Sequence, residues 1–280
     1  MTDRSRPPLA DRLRSASAAL GLVVAGLGAG VLAGWCLGLP RLTDYFEAAP
    51  EAKVNAGLCL ILCGCSLWLR RREQPDRVQR LAADALSAAV VAIAALTLVE
   101  VAGAWDLGLD NLVVREPAGA LGAFAPGRMS PAAAAIFLLF GSALLLLDTQ
   151  TPRGRRPANV LAIVAALSVL FVASGYVYGI EFFWGPGAYA RVAPPIVLGD
   201  LLFAIALLIA RPEVGVTAVL VRPGLGGRTA RRLAPVVLAL PLVIGAAQVL
   251  AVVVTLLMRL AAIYWRIHLP VFETKGDPTA

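Results

Sequence analysis

Apolar residues run in long blocks along this chain, and short polar or Pro- and Gly-rich breaks separate them. Seven blocks are about as long as the roughly 20 helical residues that cross a bilayer core. They cover residues 16–39, 54–69, 81–101, 131–147, 160–178, 195–210 and 233–258. The second, fourth and sixth are short, which places their ends close to the headgroups. The breaks at 40–53, 70–80, 102–130, 148–159, 179–194 and 211–232 hold most of the charge. The pattern predicts an all-α polytopic transmembrane bundle of seven spans. It divides into a basic N-terminal arm at 1–15, the bundle at 16–258 and a short C-terminal tail at 259–280.

Composition narrows the class further. Apolar residues make up 59% of the chain and charged residues only 15%, against about 25% charged in an ordinary soluble domain. Mean hydropathy is +0.78. A soluble enzyme, a disordered chain and a disulfide scaffold are excluded, and long Ala/Leu/Val runs favour helices over an outer-membrane barrel. The net charge of +7 reflects arginines that flank apolar blocks. No interleaved aromatics or nucleic-acid-binding motifs accompany them, so nucleic acid is not an expected partner.

The basic residues fall unevenly on alternate breaks. The arm, second, fourth and sixth breaks carry seventeen arginines, among them Arg12, Arg14, Arg70, Arg80, Arg156, Arg211 and Arg232. The opposite breaks carry five basic residues: Arg41, Lys53, Arg115, Arg128 and Arg191. The positive-inside rule then puts the N-terminus in the cytoplasm. Seven spans leave the tail, with Arg259, Arg266 and Lys275, on the outside. The first block reads as a retained signal anchor, being too long for a cleaved signal.

The chemistry-bearing residues are few. Cys36, Cys59, Cys63 and Cys65 all lie inside predicted spans. Cys59 and Cys63 share a helix face, and either a soft apolar filler role or a metal or redox role fits them. No Cys/His cluster completes a metal site, no cofactor is implied and no nucleophile set is visible, so an enzyme is not expected. Gly26, Gly30, Gly34 and Gly38 repeat every four residues and make a smooth ridge for helix packing, within the bundle or across a homodimer. Glu100 and Asp200 are carboxylates within spans, where charge is expensive. Asp200 is expected to face a polar pocket or a basic partner such as Arg191 or Arg128.

Three stretches look alike: 52–55 (Ala-Lys-Val-Asn), 127–130 (Gly-Arg-Met-Ser) and 190–193 (Ala-Arg-Val-Ala). Each sets one basic residue ahead of a returning span. The repeated unit is a helical hairpin, which points to a bundle built by duplication.

Combined stretches resemble the N-terminal multi-helix membrane sensor region of bacterial sensor histidine kinases and diguanylate cyclases. They are 34–40 (GWCLGLP), 106–112 (DLGLDNL) after Glu100, 126–131 (PGRMSP), 175–181 (GYVYGIE), 210–213 (ARPE), and 223–228 (PGLGGR) with 230–233 (ARRL). The resemblance covers roughly residues 18–245. It departs at Ala132 and Pro195, where the family often has Asn or His with Thr and where only Asn55 keeps that character. Asp200 stands where the family is usually apolar. Beyond Gly245 the likeness ends, and the output domain that the family carries next is expected to be absent.

The resemblance implies a signal-input module of a two-component or cyclic-di-GMP type receptor in the bacterial inner membrane. Its partners would be the lipid bilayer, and a second copy or a separate cytoplasmic signalling protein. The expected receiving region is the outer rim: Lys53, Asn55, Glu100, Asp106, Asp110, Arg128, Glu181 and Arg191, with Asp200 just beneath. Trp105, Phe182, Trp184 and Tyr189 suit an interfacial belt or a small amphipathic ligand. The rival reading is a small-solute or ion transporter or channel, which requires a polar path through the midplane.

Overall fold

The computed structural model describes residues 8–43, 51–72, 75–103, 105, 108, 127–151, 156–178, 192–214, 217–221, 226–229 and 232. Three long helices alternate with three short ones. The long helices are α1 (Pro8–Leu37), α4 (Arg77–Gly103) and α6 (Pro157–Tyr178). The short ones are α3 (Val54–Leu69), α5 (Pro131–Leu145) and α7 (Pro194–Leu208). Two single turns, α2 (Pro40–Thr43) and α8 (Ala218–Val221), complete the described elements, and no strand is present among the described residues. The expected span at 233–258 lies outside the described residues.

Length separates the two sets. At 1.5 Å per residue the long helices reach about 33 to 45 Å, enough to cross a hydrocarbon core of about 30 Å. The three are long and apolar enough to cross a membrane. The short helices reach only about 23 Å. They are largely apolar, and more than half of the residues in each are buried. Each long helix is buried over a third of its apolar stretch or less.

The arrangement follows from these lengths. Each short helix lies between two long ones: α3 between α1 and α4, α5 between α4 and α6, α7 between α6 and α1. The short helices also touch one another. Leu60 of α3 meets Gly199 of α7, and Phe140 of α5 stacks edge-on against Phe203 of α7 at 4.8 Å. These contacts join equivalent levels, so the short helices run parallel. The long helices run the other way, as the pairs Gly28–Gly57 and Ser66–Ala83 require. Phe137, Phe140, Phe203, Leu60, Leu144 and Ile196 fill the centre. All three short helices therefore begin at one rim, here the start rim, and end at the other, the finish rim.

Local signals set the helix ends. Pro131 opens α5 and Pro194 opens α7, where a missing N–H costs nothing. Ser130 caps α5 by accepting a bond from the Ala133 amide at 3.2 Å. The expected bounds of α3 coincide with those observed, because Lys53 and Arg70 bracket its apolar run. The long helices start earlier than expected. α1 begins at Pro8 rather than 16 and takes up much of the arm, and α4 begins at Arg77 rather than 81. Hydropathy marks only the part of a helix that suits lipid, and charged turns such as Arg12–Arg14 and Arg77–Arg80 extend beyond it.

The glycine ridge is placed differently from the expectation. A Cβ on Gly26 or Gly30 would meet nothing within 4 Å, so these two face away from the bundle. Gly34 lies against Leu42 and Thr43, and Gly38 takes a left-handed φ of 64° just past the end of α1. The close approach to α3 is made by Gly21 and Gly28 instead. A Cβ on Gly28 would come within 2.4 Å of the Gly57 carbonyl oxygen, and one on Gly64 within 2.2 Å of the Gly21 oxygen. Both pairs are spaced by seven residues, two turns, which keeps one face of each helix smooth.

Gly28→Ala and Gly64→Ala should each lower stability by about 1–3 kcal/mol, since backbone must move to admit the methyl. Gly30→Ala should be neutral or stabilising, by up to about 1 kcal/mol, through helix propensity alone. Unfolding in mixed detergent micelles measures all three, and equal losses at Gly28 and Gly30 would contradict the assignment of faces.

Candidate functional site

Polar groups in the described bundle gather at three levels. At the start rim, each long helix is latched to the segment just ahead of its short partner. The Trp35 indole of α1 donates to the Ala52 carbonyl at 2.7 Å, two residues before α3. Glu100 of α4 pairs with Arg128 at 3.5 Å, three residues before α5. The Tyr176 hydroxyl of α6 donates to the Val192 carbonyl, two residues before α7. Two of these latches place a donor on a carbonyl ahead of a short helix and the third is an ion pair, so each ties the segment leading into a short helix to a long one.

The Glu100–Arg128 latch is the charged one, and both side chains are almost fully buried. Arg128 also donates to the Trp105 carbonyl at 3.2 Å. The Trp105 amide in turn bonds the Glu100 carbonyl at 3.0 Å and closes the end of α4. Charge buried this way is held by its partner, and loss of one member leaves the other stranded. Beside it, the Lys53 ammonium lies 5.9 Å from the centre of the Trp35 ring, a cation–π distance. Asn55 is buried in the first turn of α3.

At the finish rim, ionic groups tie the ends of the short helices together. Asp148, beyond α5, pairs with Arg211, beyond α7, at 3.0 Å and with Arg70, at the end of α3, at 3.6 Å. Arg70 also pairs with Asp84 of α4. Arg211 donates to the Arg70 carbonyl at 3.3 Å. Arg14 of α1 pairs with Glu213. Hydroxyls stitch the helices just above: Ser66 donates to the Ala83 carbonyl at 3.0 Å and lies 2.7 Å from Ser87, and Ser17 donates to the Ala206 carbonyl at 2.7 Å.

Between the rims stands Asp200 of α7. It is completely buried, and neither carboxylate oxygen has a hydrogen-bond partner among the described residues. The expected pairing with Arg128 is not formed, because Arg128 is engaged by Glu100. Asp200 lies near Cys59 and Cys63 of α3 instead. Cys36, by contrast, is exposed.

No known family, curated protein or solved structure matches this chain.

Of the expected rim residues, Lys53, Asn55, Glu100 and Arg128 do lie at the start rim, and the structure joins Glu100 to Arg128. Trp105 is beside them and largely exposed. Asp106, Asp110, Glu181 and Arg191 lie outside the described residues, as do Phe182, Trp184 and Tyr189. The Arg70–Asp148–Arg211 network was not foreseen. Its signal was a shared position: each member falls within three residues of the last residue of its short helix.

Arg128→Leu should cost about 3–5 kcal/mol by stranding Glu100, with Glu100→Gln/Arg128→Met recovering part of the loss. Detergent unfolding of both, set in a double-mutant cycle, reads the coupling directly. Asp148→Asn should cost less, about 1 kcal/mol or below, and added salt should shrink the effect because Asp148 is partly exposed.

Proposed function

We propose that this chain is a membrane-embedded signal-input module, in which a stimulus at the start rim shifts the packing of the bundle and the finish rim delivers that shift. One observation carries the reading: a buried Glu100–Arg128 ion pair joins a long helix to the start of a short one, above a centre packed with apolar side chains. A ligand or charge that competes for either member would free α4 from α5. The ionic network of Arg70, Asp148 and Arg211 couples the far ends of all three short helices, so a displacement of one is felt by the others.

Several finer assignments belong to the same proposal. The arginine excess supports a cytoplasmic finish rim and N-terminus in a bacterial inner membrane, with the start rim outside. The span at 233–258 makes a seventh crossing. The alternating long and short helices are copies of one hairpin, which the shared positions of the three start-rim latches and three finish-rim residues support. The quoted resemblance to sensor kinase and diguanylate cyclase input regions favours a cytoplasmic signalling partner, or a second copy, as recipient. The same packed centre argues against the transporter alternative, since Phe137, Phe140 and Phe203 occupy the place of a polar path.

Spin labels at the exposed finish-rim positions Val78 and Gln150, in the full chain in nanodiscs, test the coupling. Glu100→Gln at the opposite rim should alter the distance distribution between them. An unchanged distribution in both Glu100→Gln and Arg128→Met, or sustained solute flux through proteoliposomes of the parent chain, would overturn the reading.

A further inference from the structure

We infer that Asp200 is a proton-binding site at the centre of the bundle, and that the seating of α7 on α3 depends on the proton it holds. The inference rests on the membrane placement of the helices and is independent of the signal-input reading. Asp200 is the seventh residue of the fifteen in α7. Roughly 9 Å of helix separates it from the start of α7, and roughly 12 Å from its end. It is completely buried, and both oxygens are unpartnered among the described residues. A carboxylate there, surrounded by apolar side chains and lipid-facing helices, carries a cost of several kcal/mol. A carboxylic acid carries no charge and needs a single acceptor.

Among the described residues, the neighbouring elements offer no cation to take the place of the proton. α3 presents Cys59 and Cys63, both buried and one turn apart, and a neutral thiol is only a weak donor. α5 contains no titratable residue, α6 contains none before Tyr176, and α7 has no other. α1 carries Cys36 near the start rim and Asp11, Arg12 and Arg14 near the finish rim, with none between. Lys53 and Arg128 stand at the start rim, and Arg211 lies past the end of α7, joined to Asp148. Among the described residues no three His, Cys, Asp or Glu side chains group to hold a metal ion, so a proton suits the site better than a metal cation.

Release is a simple step. The carboxyl O–H bond breaks, the proton passes to water, and a carboxylate with two bare oxygens remains. That charge requires water, and water reaches it only where α7 separates from α3. The contact that must part is a tight one: Gly199 packs so closely on Leu60 that a Cβ would lie 2.7 Å from Leu60 Cδ1. The seated and parted arrangements thus bind the proton unequally, which is the condition for a ligand to shift one into the other. The seated state holds the extra proton, so its stability falls as pH rises.

Infrared difference spectroscopy on the full chain in lipid nanodiscs tests the site, with hydrogen exchange of α7 as the second readout. At neutral pH the parent should show the carbonyl stretch of a protonated carboxylic acid. Asp200→Asn should remove it and Glu100→Gln should not. Once the acid titrates, α7 protection in the parent, corrected for intrinsic exchange, should fall roughly tenfold per pH unit. In Asp200→Asn it should stay level. Should Asp200→Asn fail to insert, Asp200→Glu should move the band without deleting it. Three results would overturn the inference: a neutral-pH acid band that no Asp200 variant changes, a band lost on adding sodium or potassium at fixed pH, or equal pH dependence of α7 in the parent and Asp200→Asn.

Discussion

The constraint on which the rest depends is the length of α3, α5 and α7. A helix of about 23 Å cannot cross about 30 Å of hydrocarbon without leaving backbone ends in lipid. Here the ends are not left there. The long helices α1, α4 and α6 reach past them, and their end turns hold the segments that lead into the short helices: the Trp35 indole, the Glu100 carboxylate and the Tyr176 hydroxyl at one rim. At the other rim the short helices supply one another through Arg70, Asp148 and Arg211. Polar chemistry is concentrated at two levels because those are the levels at which six helix ends meet.

The sheltered trio explains the packing chemistry. Close contact between α1 and α3 requires Gly21, Gly28, Gly57 and Gly64, since at those crossings backbone meets backbone. Gly199 and Gly141 admit side chains of α3 and α4 in the same way, whereas Phe140 and Phe203 stack edge-on between α5 and α7. Asp200 is the exception to an otherwise apolar interior. Its position midway along α7, away from both polar rims, is what gives its protonation state leverage over the α3–α7 contact.

Much of this was legible in the amino-acid sequence. The six described helices were expected from hydropathy, the short ones most closely, because Lys53, Pro131 and the Pro194–Pro195 pair mark their starts. Four of the nine expected site residues lie at the start rim, and Asp200 lies between the rims. The long helices were foreseen with their starts in the wrong place, because a helix continues into water through arginines that hydropathy counts against it. Of the two roles expected for the glycine ridge, packing within the bundle is not taken up by Gly26 and Gly30, which face outward. A repeat of four residues drifts slowly around a helix and is visible to the eye, yet the spacing of seven shared by α1 and α3 decides which face they bury.

The sequence by itself determined the elements: apolar blocks that form helices, three of them long and apolar enough to cross a membrane, with charge largely at their ends. These follow from local energetics, the cost of an unpaired amide or an ionic group in hydrocarbon, which each segment meets independently of the others. Only the tertiary structure decided the pairings. Arg128 could have served Asp200 or Glu100, and Asp148 could have remained an ordinary loop carboxylate. Such choices rest on which helix ends arrive at the same level, and that is set by the joint packing of six helices, to which residues far apart in the chain contribute equally.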